Sequence, residues 1–202
     1  MPDYTIEKEV IENGFKYVAG VDEAGRGPLA GPVCAAAVIL PKGLVIEEIN
    51  DSKKLTEKKR EKLFDIIIEN AVAYSIQFCD PEIIDSINIR QATHKAMEDA
   101  VNGLSVKPEH IFIDGNDNIP FEYPYTYIVK GDAKSQTIAA ASILAKVSRD
   151  RLMTELDKEY PQYGFAKHKG YGTKAHMEAI QKYGVTVVHR KSFMTDKVLG
   201  KA

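Results

Sequence analysis

The apolar positions of this chain fall into short, separated runs whose spacing alternates between that of strands and that of helices. Residues 17–23, Tyr-Val-Ala-Gly-Val-Asp-Glu, predict a strand that closes on two carboxylates. Residues 32–40 are apolar throughout, as expected of a strand covered on both faces. Pro28, Pro32 and Pro41 punctuate the connections. From Thr56 to Ala71 the period changes, and Leu63, Ile66 and Ile67 form a stripe at helical spacing. Glu57 opens that helix, although Lys59 leaves its capping box without the acid. Residues 72–79 predict a third strand. Pro81 starts a second helix whose apolar face runs from Ile83, Ile84 and Ile87 through Ala92, Ala96 and Met97 to Val101, with Gly103 at its end.

Two further strands, 110–115 and 125–130, lead into Asp114-Gly115 and Gly131-Asp132. Ser135 opens an alanine-rich helix that reaches about Tyr160, where Pro161 stops it. Residues 164–173 predict a loop and 174–182 a last helix. Repeats, low-complexity tracts and linkers are missing, so the pattern predicts one α/β domain over residues 1–202, a mixed β-sheet flanked by helices with C-terminal helices.

Composition narrows the class. The chain has 202 residues, 44% hydrophobic and 28% charged, enough for a proper core. No apolar run is long enough to span a bilayer, and the N-terminus lacks the basic and apolar regions of a signal peptide, so no membrane association and a cytoplasmic location are expected. Cys34 and Cys79 both sit in apolar stretches and are expected to be buried thiols rather than a disulfide. The formal net charge of −2 argues against a generic nucleic-acid coat but leaves room for a local basic face. Basic residues cluster at Lys53-Lys54, Lys58-Lys59-Arg60, Lys167-His168-Lys169 and His189-Arg190-Lys191.

The acids carry the chemistry. Asp22 and Glu23, Asp114, and Asp132 each follow an apolar run directly. Sites in open α/β sheets form outside the carboxyl ends of strands. If those strands are neighbours, four carboxylates share one pocket, and their repulsion calls for cations. Two divalent ions, Mg²⁺ or Mn²⁺, would neutralise them and clamp a phosphate for attack by water. Gly20 to Gly25 also fits the Gly-x4-Gly frame of a nucleotide-binding loop, but Arg26 and Gly27 stand where that loop needs Lys and Ser or Thr. Turn chemistry would account for Asp114-Gly115, and a helix N-terminus for Asp132. Asp150, between Arg149 and Arg151 in mid-helix, is expected to form an exposed ion pair.

Residues 18–33, Val-Ala-Gly-Val-Asp-Glu-Ala-Gly-Arg-Gly-Pro-Leu-Ala-Gly-Pro-Val, resemble the signature of the bacterial ribonuclease HII family. Further blocks follow in the family's order: Asp51-Ser52-Lys53-Lys54-Leu55, Ile113-Asp114-Gly115, Gly131-Asp132-Ala133-Lys134, residues 139–150, residues 168–173, and His189-Arg190-Lys191-Ser192-Phe193. The resemblance spans about residues 15 to 195. It implies the ribonuclease H-like fold and an endonuclease that cuts the RNA strand of RNA–DNA hybrids and nicks beside single ribonucleotides in duplex DNA, leaving 5′-phosphate and 3′-hydroxyl ends. It also implies two Mg²⁺ or Mn²⁺ ions held by Asp22, Glu23, Asp114 and Asp132.

Recognition of the ribonucleotide is implied to fall to Gly25-Arg26-Gly27 and Tyr171. The physics agrees, because the 2′-hydroxyl is what distinguishes RNA from DNA at a given site. Ser52, Lys53, Lys54 and Lys169 are expected to hold backbone phosphates, with Arg190 a weaker candidate. The histidines are not needed for the chemistry. His168 is nearest the Tyr171 loop and is expected to be solvated unless it meets a phosphate. A monomer is expected, and Met194 to Ala202 contains no clamp-binding peptide that would name a protein partner. Two rival classes remain: a DNA nuclease of the same acid-cluster type, which has no use for a 2′-hydroxyl reader, and a catalytically silent hybrid-binding module, for which four acids would be a hindrance.

Overall fold

The computed structural model describes residues 2–117 and 120–201. Its centre is a five-stranded sheet ordered β3-β2-β1-β4-β5. The strands are β1 (Val18–Ala24), β2 (Val33–Ile39), β3 (Ala73–Cys79), β4 (His110–Asp114) and β5 (Tyr125–Ile128). β1, β2 and β3 form an antiparallel meander, while β4 and β5 run parallel to β1. The carboxyl ends of β1, β4 and β5 therefore lie along one edge of the sheet.

Helix α1 spans Thr5–Glu12, α2 Glu57–Asn70, α3 Pro81–Asn102 and α4 Gln136–Glu159. α3 covers one face of the sheet, meeting Ala35, Ala37, Ile111 and Ile113. α4 and α2 cover the other, meeting Cys34, Ala36 and Val38. Small residues on both sides let α4 come close. A Cβ on Gly20 would lie 2.1 Å from the carbonyl carbon of Thr137, so only glycine fits where β1 crosses the helix. Short α5 (Phe165–His168), α6 (Lys174–Tyr183) and α7 (Asp196–Leu199) build a satellite core with Leu29, Ala30 and Met153.

Three features depart from the pattern-based reading. First, the N-terminal dozen residues hold α1, whose Ile6, Val10 and Ile11 pack toward Val18, Phe112 and Ile138. Its buried Glu7 accepts the amide of Thr137 at 3.0 Å and the hydroxyl of Ser135 at 2.6 Å, so it caps α4 from a distance. Second, α3 breaks at Asn88 (φ 68°), whose side chain then caps the new turn by accepting the amides of Arg90 and Gln91. Third, the expected loop 164–173 contains α5, set between Gly164 (φ 74°) and Lys169 (φ 51°). Cys34 and Cys79 are buried free thiols, as expected.

Candidate functional site

Strand pairing brings the acids together. Val21 pairs with Ile113, so Asp22 and Asp114 each follow the last paired residues of adjacent parallel strands. Asp114 pairs with Ile128 on β5, and its Oδ1 accepts the amide of Gly131 at 2.6 Å, which ties the turn holding Asp132 to the end of β4. Side-chain alternation sends Asp22 to the α4 face, where it hydrogen-bonds Ser142, and Glu23 to the α3 face, where it lines a cavity of about 160 Å³ with Thr93 and Met97. Asp132 accepts none of the first amides of α4, which Ser135 and Glu7 serve instead.

The electrostatics are those of crowded carboxylates. Burial raises Asp22 well above the ordinary carboxylate range, and Glu23 and Asp114 raise it further. Glu23 is raised by burial and by Asp114, against the pull of Arg26 and Lys53. Asp132 is raised by burial, by Asp114 and by Asp51. Lys53 answers all of them: partial burial lowers its pKa, but Asp22, Asp132, Asp51 and Asp114 outweigh that and hold it raised. Among the described residues, no three acidic, histidine or cysteine side chains form a ready-made coordination sphere. The donor set nonetheless suits a hard divalent cation, since it consists of carboxylate oxygens whose negative charge the protein itself only partly offsets.

A groove of about 520 Å³ runs from Asp22 and Glu23 along Gly25-Arg26-Gly27 to Tyr171, with Ser52 and Lys53 on its wall. Tyr171 is 44% exposed, and its ring edge lies 3.8 Å from where a Cβ on Gly27 would stand. Gly25 (φ +97°) is forced to be glycine, because a Cβ there would meet the Arg149 side chain at 2.0 Å. Arg26 reaches Glu23 and Asp117, both at 3.6 Å. The Ser52 hydroxyl is buried against that of Ser142 at 3.0 Å, and Arg60 braces the same turn by donating to the carbonyls of Ser52 and Leu55. Lys54 is exposed and lies 3.7 Å from Asp51, outside the groove lining. The Lys169 ammonium also lies outside it, bonded to Thr154 at 2.9 Å.

Two arginines hold the glycine loop from beneath. Arg149 donates to the carbonyls of Pro32, Lys169 and Ala30 at 2.9, 3.0 and 3.1 Å. Arg190 donates to those of Gly31, Arg26 and Gly25 at 2.9, 2.8 and 2.6 Å. Arg190 is fully buried and is thus a brace for the loop, not a surface phosphate contact. Asp150 is corrected likewise: it is buried and bonded to Lys146 at 2.7 Å, with Arg60 at 3.9 Å, rather than exposed. His168 is not simply solvated; its ring bonds the Tyr163 carbonyl and the Gly170 amide. Ser142, Lys146, Arg149 and Arg60 line the groove and were not singled out from sequence. Their signal was present, since Ser142, Lys146 and Arg149 recur at helical spacing within an otherwise apolar stretch.

Comparison with known proteins agrees with this fold. The family model described as Ribonuclease HII matches residues 19–196. The chain belongs to the ribonuclease HII family. Ribonuclease HII of Acetivibrio thermocellus is 58% identical over 187 residues, covering 93% of this chain and 73% of that one. Ribonuclease HII of Caldicellulosiruptor bescii is 51% identical over 191 residues, covering 95% and 93%. The crystal structure of ribonuclease H2 from Pyrococcus horikoshii superposes with a TM-score of 0.78 at 30% identity, covering 92% of this chain and 98% of that one. The fold is the ribonuclease H-like α/β fold, and the activity is that of a metal-dependent ribonuclease H, a hydrolase of the nuclease class.

Proposed function

We propose that this ribonuclease HII hydrolyses the RNA strand of RNA–DNA hybrids and nicks on the 5′ side of single ribonucleotides embedded in duplex DNA, leaving 5′-phosphate and 3′-hydroxyl ends. The observation that carries the proposal is one groove running from Asp22 and Glu23 to Tyr171 over a bare glycine loop, with Asp114 of the neighbouring strand sharing the Glu23 cavity and tying down the turn that holds Asp132. Asp22, Glu23, Asp114 and Asp132 would hold two Mg²⁺ or Mn²⁺ ions. When bound, such a pair activates the attacking water and offsets charge on the leaving oxygen.

The chain's own residues position the substrate. Backbone groups of Gly25, Arg26 and Gly27 meet the 2′-hydroxyl, which both donates and accepts. The Tyr171 ring packs on the sugar, and a deoxyribose leaves those polar partners unmatched. Lys53, drawn toward the acids, holds the phosphate nearest the reacting bond; Ser52 shapes that wall through its bond to Ser142. Lys54 and Lys169 hold phosphates farther along the duplex and fix register without reading bases. Arg26 is the natural switch point, because a phosphate competes with Glu23 and Asp117 for its guanidinium.

The direct test is a pair of duplexes, one with a single ribonucleotide and one all DNA, incubated with Mg²⁺ or Mn²⁺. Cleavage is expected only in the first, at the 5′ side of the ribonucleotide. Equal cutting of both sinks the proposal.

A further inference from the structure

Three histidines that the chemistry does not require meet behind Tyr171, and their hydrogen bonds have one direction. The Thr186 amide lies 3.0 Å from His189 Nδ1. A backbone N–H can only donate, so His189 Nδ1 accepts and the ring proton sits on Nε2. That Nε2 lies 3.2 Å from His176 Nε2, which must then be the acceptor. The His176 proton is left on Nδ1, which donates to the Tyr171 carbonyl at 3.0 Å, a group that can only accept. An obligatory donor at one end and an obligatory acceptor at the other thus fix both tautomers. The His168 ring stacks on His176 at 4.5 Å, and its own partners, the Tyr163 carbonyl and the Gly170 amide, assign it Nε2–H in the same way.

The far end of this chain is tied to the glycine loop. His189 bridges to Ala30, the amide of Gly31 donates to Val188 at 2.8 Å, and that of Arg190 donates to Leu29 at 2.9 Å. Arg190 then holds the carbonyls of Gly25 and Arg26. The same short segment therefore grips the loop with its backbone and Arg190, and grips Tyr171 through His189 and His176. Both imidazoles are fully enclosed, with Tyr163 and Phe165 rings against them.

We infer that His176 and His189 are positioning residues that set the height of Tyr171 over Gly27, and so the discrimination between ribose and deoxyribose. This rests on the reading of Tyr171 as a ribose contact given above. The two residues touch no substrate; they act through the Tyr171 backbone. A displacement of about 1 Å at a positioning group can cost about a hundredfold in rate, so the relay need not move far to matter.

The test uses the full chain and a duplex with one ribonucleotide. His176→Leu and His189→Leu are expected to lower kcat about tenfold or more, with KM little changed because the phosphate contacts remain. His176→Asn keeps a donor where Nδ1 stood, and His189→Gln keeps one where Nε2 stood; each is expected to recover most of the lost rate. The double variant Tyr171→Ala with His176→Leu is expected to be no slower than Tyr171→Ala alone. In the wild-type protein, nitrogen NMR is expected to show His176 as the Nδ1–H tautomer and His189 as the Nε2–H tautomer.

Rate losses that merely follow a fall in melting temperature, with no recovery by Asn or Gln, overturn the inference. So do additive effects in the double variant, or the opposite tautomers. Should the leucine variants not fold, the Asn and Gln variants, the double-variant logic applied to His176→Asn, and the tautomers still decide it. If Tyr171→Ala cuts as fast as wild type, the ribose-contact reading fails; if Tyr171→Ala is slow but the histidine variants are not, only this inference does.

Discussion

The acid edge, which enters the groove through Asp22 and Glu23, and the glycine loop that borders the same groove are built by opposite means. The acids sit at the ends of β1 and β4 and in the turn after β5, and are placed by the strand register and by the bond from the Gly131 amide to Asp114. The loop 25–31 has no regular structure of its own. Its shape comes from two fully buried cations far along the chain: Arg190 donates to the carbonyls of Gly25, Arg26 and Gly31, and Arg149 to that of Ala30 and to Pro32 just beyond. A guanidinium suits this task because its planar fork offers five donors at once. The half proposed to hydrolyse thus inherits the rigidity of the sheet, while the half proposed to recognise ribose borrows its order from helix α4 and the C-terminal segment. Chemistry and selectivity should then fail separately when either half is perturbed.

The largest effect is expected from Asp22→Asn. Cleavage should fall on the order of 10³-fold, while a gel-shift assay with a hybrid shows binding largely intact. Retained activity would remove Asp22 from the acid set. Arg190→Met attacks the other half. Three loop carbonyls lose their buried donor, and chemical denaturation should show a loss of about 3 kcal/mol or more, with weakened selectivity at temperatures where the variant stays folded. A stability equal to wild type would mean that the loop holds itself.

Tyr171→Ala is expected to slow ribonucleotide cleavage about 10- to 100-fold with little change in melting temperature, since the side chain is well exposed. Unchanged rates would remove Tyr171 from the site.

A pH titration separates the halves in another way. Burial, with His168 adding to it at His176 and His176 adding to it at His189, lowers both imidazoles to about 4. Their folded-state pKa values lie below the ordinary 6.5, so the unfolded chain binds more protons between those limits. The stability these two groups contribute is therefore complete above pH 6.5 and is lost as pH falls toward 4. Denaturation midpoints should drop over that window, and the drop should shrink in His176→Asn. Asp117→Asn should do least. It weakens the half-buried carboxylate that Arg26 and Arg90 share, interactions worth about 0.2–1 kcal/mol each, and is expected to show mainly as an altered salt dependence of binding.

Much of the acid edge was legible in the sequence for a local reason. Tyr17-Val18-Ala19-Gly20-Val21-Asp22-Glu23 and His110-Ile111-Phe112-Ile113-Asp114 each combine an apolar strand with the acid that ends it, so element and chemistry appear in one window. Asp132 is less legible, because an acid a few residues before a helix already has an ordinary explanation in the helix dipole. Arg190 and Asp150 misled because a charged residue in a polar or mid-helix context is usually solvated. No window of sequence shows that Arg190 finds a partner 159 positions away, or that Asp150, beside its neighbour Lys146, also meets Arg60 from 90 positions away.

The sequence by itself determined the alternation of strands and helices, the acids at the strand ends, the buried thiols and the glycine at each place where backbone must pass close to backbone. Those depend on periodicity and on the conformational range of single residues, which are local properties. Only the tertiary structure decided that β1 lies between β2 and β4, that α1 caps α4, and that the arginines and histidines turn inward to hold the Gly25–Gly31 loop and Tyr171. Such contacts join segments separated by most of the chain, and a buried polar group reveals its purpose only once the partner that satisfies it has been brought alongside.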